Sequence, residues 1–477
     1  MATVDFDRIP TFTGSFRENL DAMVGLLSRG DKKPSDKRIG FELERIPITS
    51  DGSPIPFSGE HGISALLEQF AQGRPEEELV YIDGHLLGFD LTVDTPSGPV
   101  GTTVSLEPAA QLEISVGPAT TVKALYEAAE IVDEQLSHAM RDAGIDARLV
   151  GIGYDPTVDA PTDLELIPKE RYRDMDAYLS RRGRYARDMM RCTASTQVSL
   201  DYEDEADCQR IVRMATYLGP VFAFLFDNAP VFRGKPTPGM ARSRIWRHVD
   251  VDRCGIVPSS LDGLSFEDYV LWISGVKPIL FTDHGHVTTA TGDTYTREIM
   301  SSRPLENDEL FHLLSMVFPN VRLKGFCELR EMDSLPVRLA AACTSFTGAL
   351  LYDACLESKL AERLSAWLPE GFDGKDENDC VAARLHLEEQ GWDAEVYGVP
   401  VTELADALVE IARDNVANGS GCTGVGANAP ADVTVPVVRE SRADASAFDL
   451  EGIEQLARMW GARQVPREAL GLQGVEL

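Results

Sequence analysis

The sequence predicts an α+β fold, and three observations carry that reading. Several long stretches place apolar residues at helical spacing. Several short ones alternate strictly between polar and apolar residues. The two kinds follow each other irregularly rather than in a repeating βαβα order. The 477 residues are 43% hydrophobic and 26% charged, enough apolar surface to build a core, which excludes disorder as a whole-chain description.

Residues 11–30 read as an amphipathic helix ending at Gly30, and 39–48 as a strand. A helix is expected over 62–73, with Gly73 just past its end. Strand pieces at 79–95 and 100–106 meet at the Pro96-Ser97-Gly98 turn. A long helix follows at 121–143, then a short strand at 149–154. Further strands are expected at 193–202, 243–249 and 321–330, and helices at 205–227 and 336–365. Residues 369–376 are the best linker, separating a catalytic core over 1–368 from a C-terminal helical part over 369–477, packed on the same domain. That part holds helical stretches at 378–391 and 402–417, a Gly-rich loop at 419–426, and a last helix near 449–462.

The charge balance, 45 basic against 77 acidic residues, gives −32. Such a chain lacks the basic footprint of a nucleic-acid binder and is repelled by an anionic membrane surface. It has no apolar run of membrane-spanning length and no visible secretory signal, so a cytoplasmic location is expected. The eight cysteines are scattered with no CxxC pair, so reduced thiols are expected rather than a disulfide framework or zinc ribbon.

The chemistry is expected on four alternating segments. In 39–45, Glu42 and Glu44 lie opposite Ile39, Phe41 and Leu43. In 106–115, Glu107, Gln111, Glu113 and Ser115 share a parity, with Pro108 interrupting early. Thr193, Ser195, Gln197, Ser199 and Asp201 form a third polar face, and Glu328 with Arg330 a fourth. A single alternating strand ordinarily turns its polar face to water. Four of them paired into one sheet make a carboxylate-rich surface, which needs cations, and hard oxygen donors suit Mg²⁺ or Mn²⁺. Arginines cluster at Arg171, Arg173, Arg181, Arg182, Arg184, Arg187 and Arg191, and again at Arg233, Arg242, Arg244, Arg247 and Arg253 with Lys235. Their forks match phosphate and carboxylate oxygens, although several are expected to be plain surface residues. His284 and His286 form an isolated HxH, a weak metal signal. The GxGxxG spacing at Gly419–Gly424 follows a helical stretch rather than a strand, so a dinucleotide site is not expected there.

At these same positions the sequence resembles the plant and proteobacterial type of glutamate–cysteine ligase. The matching runs are Ile39-Gly-Phe-Glu-Leu-Glu44, Val104 to Ser115 and Gly151-Ile-Gly-Tyr-Asp-Pro156. They continue through Asp188 to Asp201, Gly234-Lys-Pro236 with Arg242 to Trp246, and Phe318 to Lys324 with Glu328-Leu-Arg330. The resemblance implies a six-stranded antiparallel sheet with a glutamine-synthetase-like catalytic face covered by helices. It implies ATP and Mg²⁺ as cofactors, with Mn²⁺ as an alternative, and L-glutamate and L-cysteine as substrates, joined through a γ-glutamyl phosphate in the first step of glutathione synthesis. It places Glu42, Glu44, Glu107, Glu113 and Glu328 as metal ligands. Arg242, Trp246, Gln197 and Thr193 become substrate contacts, and Glu42, Glu328 and Arg330 catalytic residues. The chain departs from the family pattern at Glu331, where a loop glycine is usual, and at Arg244, where a histidine is usual. Two alternatives stand beside this reading: the same chemistry with another amine acceptor, and a non-catalytic relative. A monomer or homodimer is expected.

Overall fold

A computed structural model describes residues 14–283, 287–418 and 439–469. One large sheet organises them, with nine strands: β1 (Ile39–Thr49), β2 (Leu79–Ile82), β3 (His85–Thr95), β4 (Gly98–Leu106), β5 (Leu112–Ala119), β6 (Ala147–Val150), β7 (Ser195–Leu200), β8 (Val321–Leu323) and β9 (Cys327–Asp333). Their spatial order is β8-β9-β7-β1-β5-β4-β3-β2, and β6 pairs with the far end of β1. The sheet is antiparallel, as expected, but larger than the six strands the resemblance implied.

Alternation gives the sheet two unlike faces. Phe41, Leu43, Ile114, Val116, Val198, Leu200 and Leu329 are buried on one of them. Helices Val122–Asp142 and Val337–Leu351 pack against that face, while the other carries the polar side chains. Thr121 caps the first of these helices by accepting from the Ala124 amide.

Four sequence expectations need correction, the first being the single strand over 321–330, which is a hairpin of β8 and β9 because the chain turns at Lys324–Phe326. Residues 243–249 are not a strand: Ala241–Trp246 is a helix entered through Met240 in a left-handed conformation (φ 49°). Ala241 and Ile245 are four apart and both buried, a helical pattern that the alternating Arg-Ser-Arg-Ile-Trp run hides. The segment 106–115 is not one strand but the tight end of a hairpin. Glu107 N donates to Gln111 O at 2.9 Å, and Ala110 takes φ 67°, so β4 and β5 fold back on each other. Residues 336–365 are two helices, Val337–Leu351 and Leu356–Arg363, bent by 91°. Among the described residues no single helix is long and apolar enough to cross a membrane.

The thiol expectation also changes. Cys192, Cys208, Cys254, Cys327, Cys343 and Cys380 are free, but Cys355 is disulfide-bonded. His284, His286 and the Gly419–Gly426 loop lie outside the described residues.

Candidate active site

Strand register assembles the polar face. Glu44 lies opposite Glu113 across β1 and β5, and Glu113 opposite Ser105 across β5 and β4. Glu42 pairs with Ser115 on one side and Gln197 on the other. Glu328 lies opposite Ser199 in β7 and Arg322 in β8. The hairpin turn brings Glu107 beside this row from the end of β4. Four segments far apart in sequence thus become neighbours through backbone ladders alone.

The carboxylates separate into two settings. In the first, one oxygen from each of Glu44, Glu107 and Glu113 lies within 4.8 Å of the others. Their hydrogen-bond partners are neutral. Glu44 accepts from Ser195 N at 2.6 Å and Gln197 Nε2 at 3.1 Å. Glu113 accepts from Ser105 Oγ at 3.0 Å and Ser115 Oγ at 3.3 Å. Burial, then mutual repulsion, pushes each of the three up to about 7. Glu42 stands beside them and is pushed up to about 8 by burial and by Glu113 and Glu328. Such groups titrate together rather than singly.

In the second setting, Glu328 is fully buried and surrounded by cations. Arg322 grips it with two nitrogens at 2.6 and 3.0 Å, Lys324 Nζ lies at 3.0 Å and Arg330 Nη1 at 3.1 Å. Burial is the largest single influence and would raise Glu328, but the three cations overcome it and hold the carboxyl well below its usual range.

Gln197 joins the two settings. Its amide nitrogen serves Glu44, and its oxygen accepts from Arg330 Nη1. Arg330 and Arg242 both stand over the Trp246 ring, each 5.6 Å from its centroid. Arg242 is buried and donates to the main-chain carbonyl of Arg330 at 2.9 Å. Arg242 Nε and the Trp246 indole N–H are buried donors with no partner among the described residues. Two orphan donors beside Arg330 form a socket for an anion.

Next to Glu42 the face opens into a cleft of about 370 Å³. Gly40, Asp90, Thr103, Ser115, Asp201 and Phe326 contribute to its walls. It mixes polar groups with apolar surface, as a small-molecule site does.

The expected site residues are therefore placed unevenly. Glu42, Glu44, Glu107, Glu113, Gln197, Glu328, Arg330, Arg242 and Trp246 come together on one face. Glu328 differs from the other expected metal ligands in its setting, because its oxygens are engaged by three cations of the chain rather than turned toward the other carboxylates. Thr193 lies in a different setting. It is buried, its hydroxyl donates to Met189 O at 2.6 Å and its carbonyl accepts from Gln111 Nε2, so it closes helix Ala186–Cys192. Most of the arginine cluster is also structural. Arg182, Arg187, Arg191, Arg233, Arg247 and Arg253 each pair with a carboxylate of this chain.

Two groups of residues escaped the sequence reading. Arg322 and Lys324 set the charge of Glu328, and their spacing of six and four residues before it in a short hairpin was the available signal. Lys169 begins the segment docked on the Glu107 turn, and Ile167 N donates to Pro108 O at 2.9 Å. Its ammonium lies 4.8 Å from the Tyr172 ring centroid and acts on Glu107 through space. Among the described residues it forms no ion pair.

This antiparallel architecture has a solved counterpart. The crystal structure of a glutamate–cysteine ligase from Francisella tularensis in complex with AMP superimposes with a TM-score of 0.52, covering 93% of this chain and 88% of that one at 11% identity. The likeness concerns the fold. Sequence comparison is more specific: the model of glutamate-cysteine ligase family 2 matches residues 38–423, and this chain belongs to that family. The chloroplastic glutamate–cysteine ligase of Brassica juncea is 30% identical over 358 residues, 73% of this chain and 66% of that protein. The chloroplastic enzyme of Arabidopsis thaliana is 32% identical over 358 residues, 73% and 65% of the respective lengths. The matched segment thus spans about two thirds of these relatives. Their chloroplastic designation overturns the cytoplasmic expectation, since charge and cysteine pattern do not distinguish the two compartments.

Proposed function

We propose that this chain is an ATP-dependent ligase that joins the γ-carboxylate of L-glutamate to the amine of L-cysteine. The observation that carries the reading is the polar face itself: an all-oxygen carboxylate group at one place and an arginine–tryptophan socket at another, joined by Gln197. The family match and the names of the relatives support the choice of substrates.

A carboxylate is a poor electrophile at neutral pH, so the reaction needs activation by phosphoryl transfer, followed by attack of the amine on the acyl phosphate. Glu44, Glu107 and Glu113 fit a hard divalent cation: their donor atoms are all oxygen, lie close together and form no ion pair among the described residues. When bound there, Mg²⁺ supplies positive charge to the phosphate oxygens. Glu42 borders the cleft, which has the size and mixed lining to take the nucleoside. Arg242 and Trp246 present their orphan donors to the carboxylate of the amino-acid substrate. Arg330, fixed between Glu328 and Gln197, directs its guanidinium at the charge that develops during transfer. Glu328 acts through the cations around it rather than on substrate.

The test is ADP release and product mass with ATP, Mg²⁺ and glutamate, with and without cysteine. Cysteine-dependent ADP release with γ-glutamylcysteine as product is the expected result. Release with another amine but not cysteine replaces the acceptor. No release with any amine removes the catalytic reading.

A further inference from the structure

The helix Glu377–Gln390 belongs to the C-terminal part of the chain, yet one of its residues reaches the anion socket. Arg384 is 6% exposed. One of its terminal nitrogens donates to Glu331 Oε1 at 2.7 Å, and the other to Ser243 Oγ at 2.7 Å. Glu331 directly follows Arg330 in β9, and Ser243 directly follows Arg242 in its short helix. Arg242 then closes the ring by donating to the carbonyls of Arg330 at 2.9 Å and Glu331 at 3.4 Å. One turn further on, Arg247 pairs with Glu388 of the same C-terminal helix at 2.7 Å. Helix Glu205–Leu225 leaves room for this arrangement through Gly219, where a Cβ would sit 2.8 Å from Glu331 Oε1.

We propose that Glu331 and Arg384 are positioning residues that hold Arg242 and Trp246 at the correct height against Arg330, and thereby set the affinity for the carboxylate substrate. The inference rests on the reading that Arg242 and Trp246 bind that substrate. A guanidinium is a rigid planar donor, so its usefulness depends on where its backbone sits. The short helix Ala241–Trp246 has few internal hydrogen bonds to fix its own position. Arg384 ties it to the catalytic strand from outside, through a buried pair that would leave an uncompensated charge if either partner were lost. Arg384 itself faces Ser243 and Glu331 rather than the open face, which separates it from the groups that touch substrate.

The experiment compares wild type with Arg384→Met, Glu331→Gln/Arg384→Met and Arg384→Lys. The double variant removes both charges, so it folds even if the single Met variant does not. Its KM for glutamate is expected to rise about tenfold, while kcat changes less than about threefold. Arg384→Lys, which keeps the charge but not the fork, falls between. A second readout is independent of turnover. In protein labelled with 5-fluorotryptophan, the fluorine signal of Trp246, identified by its loss in Trp246→Phe, is expected to move in the double variant. The signals of Trp272 and Trp367 are expected to stay. An unchanged glutamate KM in the folded double variant overturns the proposal. If wild type itself turns over no glutamate, the functional reading fails, and the fluorine spectrum alone decides: an unmoved Trp246 signal overturns the positioning role.

Discussion

Glu328 and Glu113 lie on the same face of one sheet, separated by β7 and β1, the first fully buried and the second half-buried. Glu328 is held well below the ordinary carboxylate range, while Glu113 is pushed up to about 7. Burial raises both. The difference lies in the neighbours: Arg322, Lys324 and Arg330 around Glu328, against Glu44, Glu107 and two neutral donors, the Ser105 and Ser115 hydroxyls, around Glu113. One region is internally neutralised and acts as a scaffold. The other is a cluster of mutually repelling carboxylates, relieved by the protons it retains and, in the proposed function, by a bound cation. A carboxylate's role on this sheet is therefore set by the charge of its cross-strand neighbours.

The same substitution should act with opposite sign in the two regions. Glu328→Gln strands three cations in a buried site and is expected to destabilise the protein by about 3–5 kcal/mol in chemical denaturation. Glu113→Gln relieves repulsion, so without divalent cation at pH 8 it is expected to melt no lower than wild type. It should nevertheless lose at least about 100-fold in kcat/KM or demand far more Mg²⁺. A Glu113→Gln protein with wild-type turnover at ordinary Mg²⁺ breaks the comparison.

Arg330 belongs to both regions, through Glu328 and Gln197. Arg330→Lys keeps the charge but loses the planar two-pronged donor. The expected cost is about 3 kcal/mol of transition-state stabilisation, with the fold retained. A lowered melting temperature with unchanged rate per folded molecule would make Arg330 purely structural.

The pH dependence sharpens the contrast. The triad's folded values near 7 exceed the ordinary 4.5. Between those values the unfolded chain has released protons that the folded face retains. The triad's contribution to stability therefore falls as pH rises from about 4.5 past 7. Glu328 runs the other way, contributing above 4.5 and losing that contribution as pH falls through its depressed value. Without divalent cation, melting temperature should drop by on the order of 3 °C between pH 5.5 and pH 8. Added Mg²⁺ should restore it at pH 8, and Glu44→Gln/Glu113→Gln should flatten the profile.

The smallest effect is expected far from the sheet. Arg413 and Glu454 form an ion pair at 2.6 Å, but both side chains are more than a third exposed. Arg413→Met should change stability by no more than about 0.5 kcal/mol and leave turnover unaltered.

Glu42 and Glu44 were legible because they alternate with Ile39, Phe41 and Leu43 in an uninterrupted strand. Glu107 and Glu113 were legible as candidates but not as a geometry. Their shared parity suggested one strand, whereas a turn with Ala110 at positive φ places them on opposite arms of a hairpin. The helix at Arg242 read as a strand because its buried residues are four apart in a segment too short to display a period. Thr193 followed the parity of its neighbours, but it sits two residues before the strand begins at Ser195, where its hydroxyl is drawn to the end of the preceding helix.

The sequence by itself determined the class of fold, the apolar and polar faces of β1 and β7, and the set of residue types able to hold a hard cation and an anion. These follow from periodicity and side-chain chemistry, which are local. Tertiary structure alone decided which carboxylates meet cations and which meet each other, that most of the arginines are spent on partners within the chain, and that Arg384 reaches the socket from the C-terminal helix. Those outcomes depend on strand register and helix packing, over separations from 6 residues between Arg322 and Glu328 to 141 between Ser243 and Arg384, and charge acts across such contacts regardless of separation along the chain.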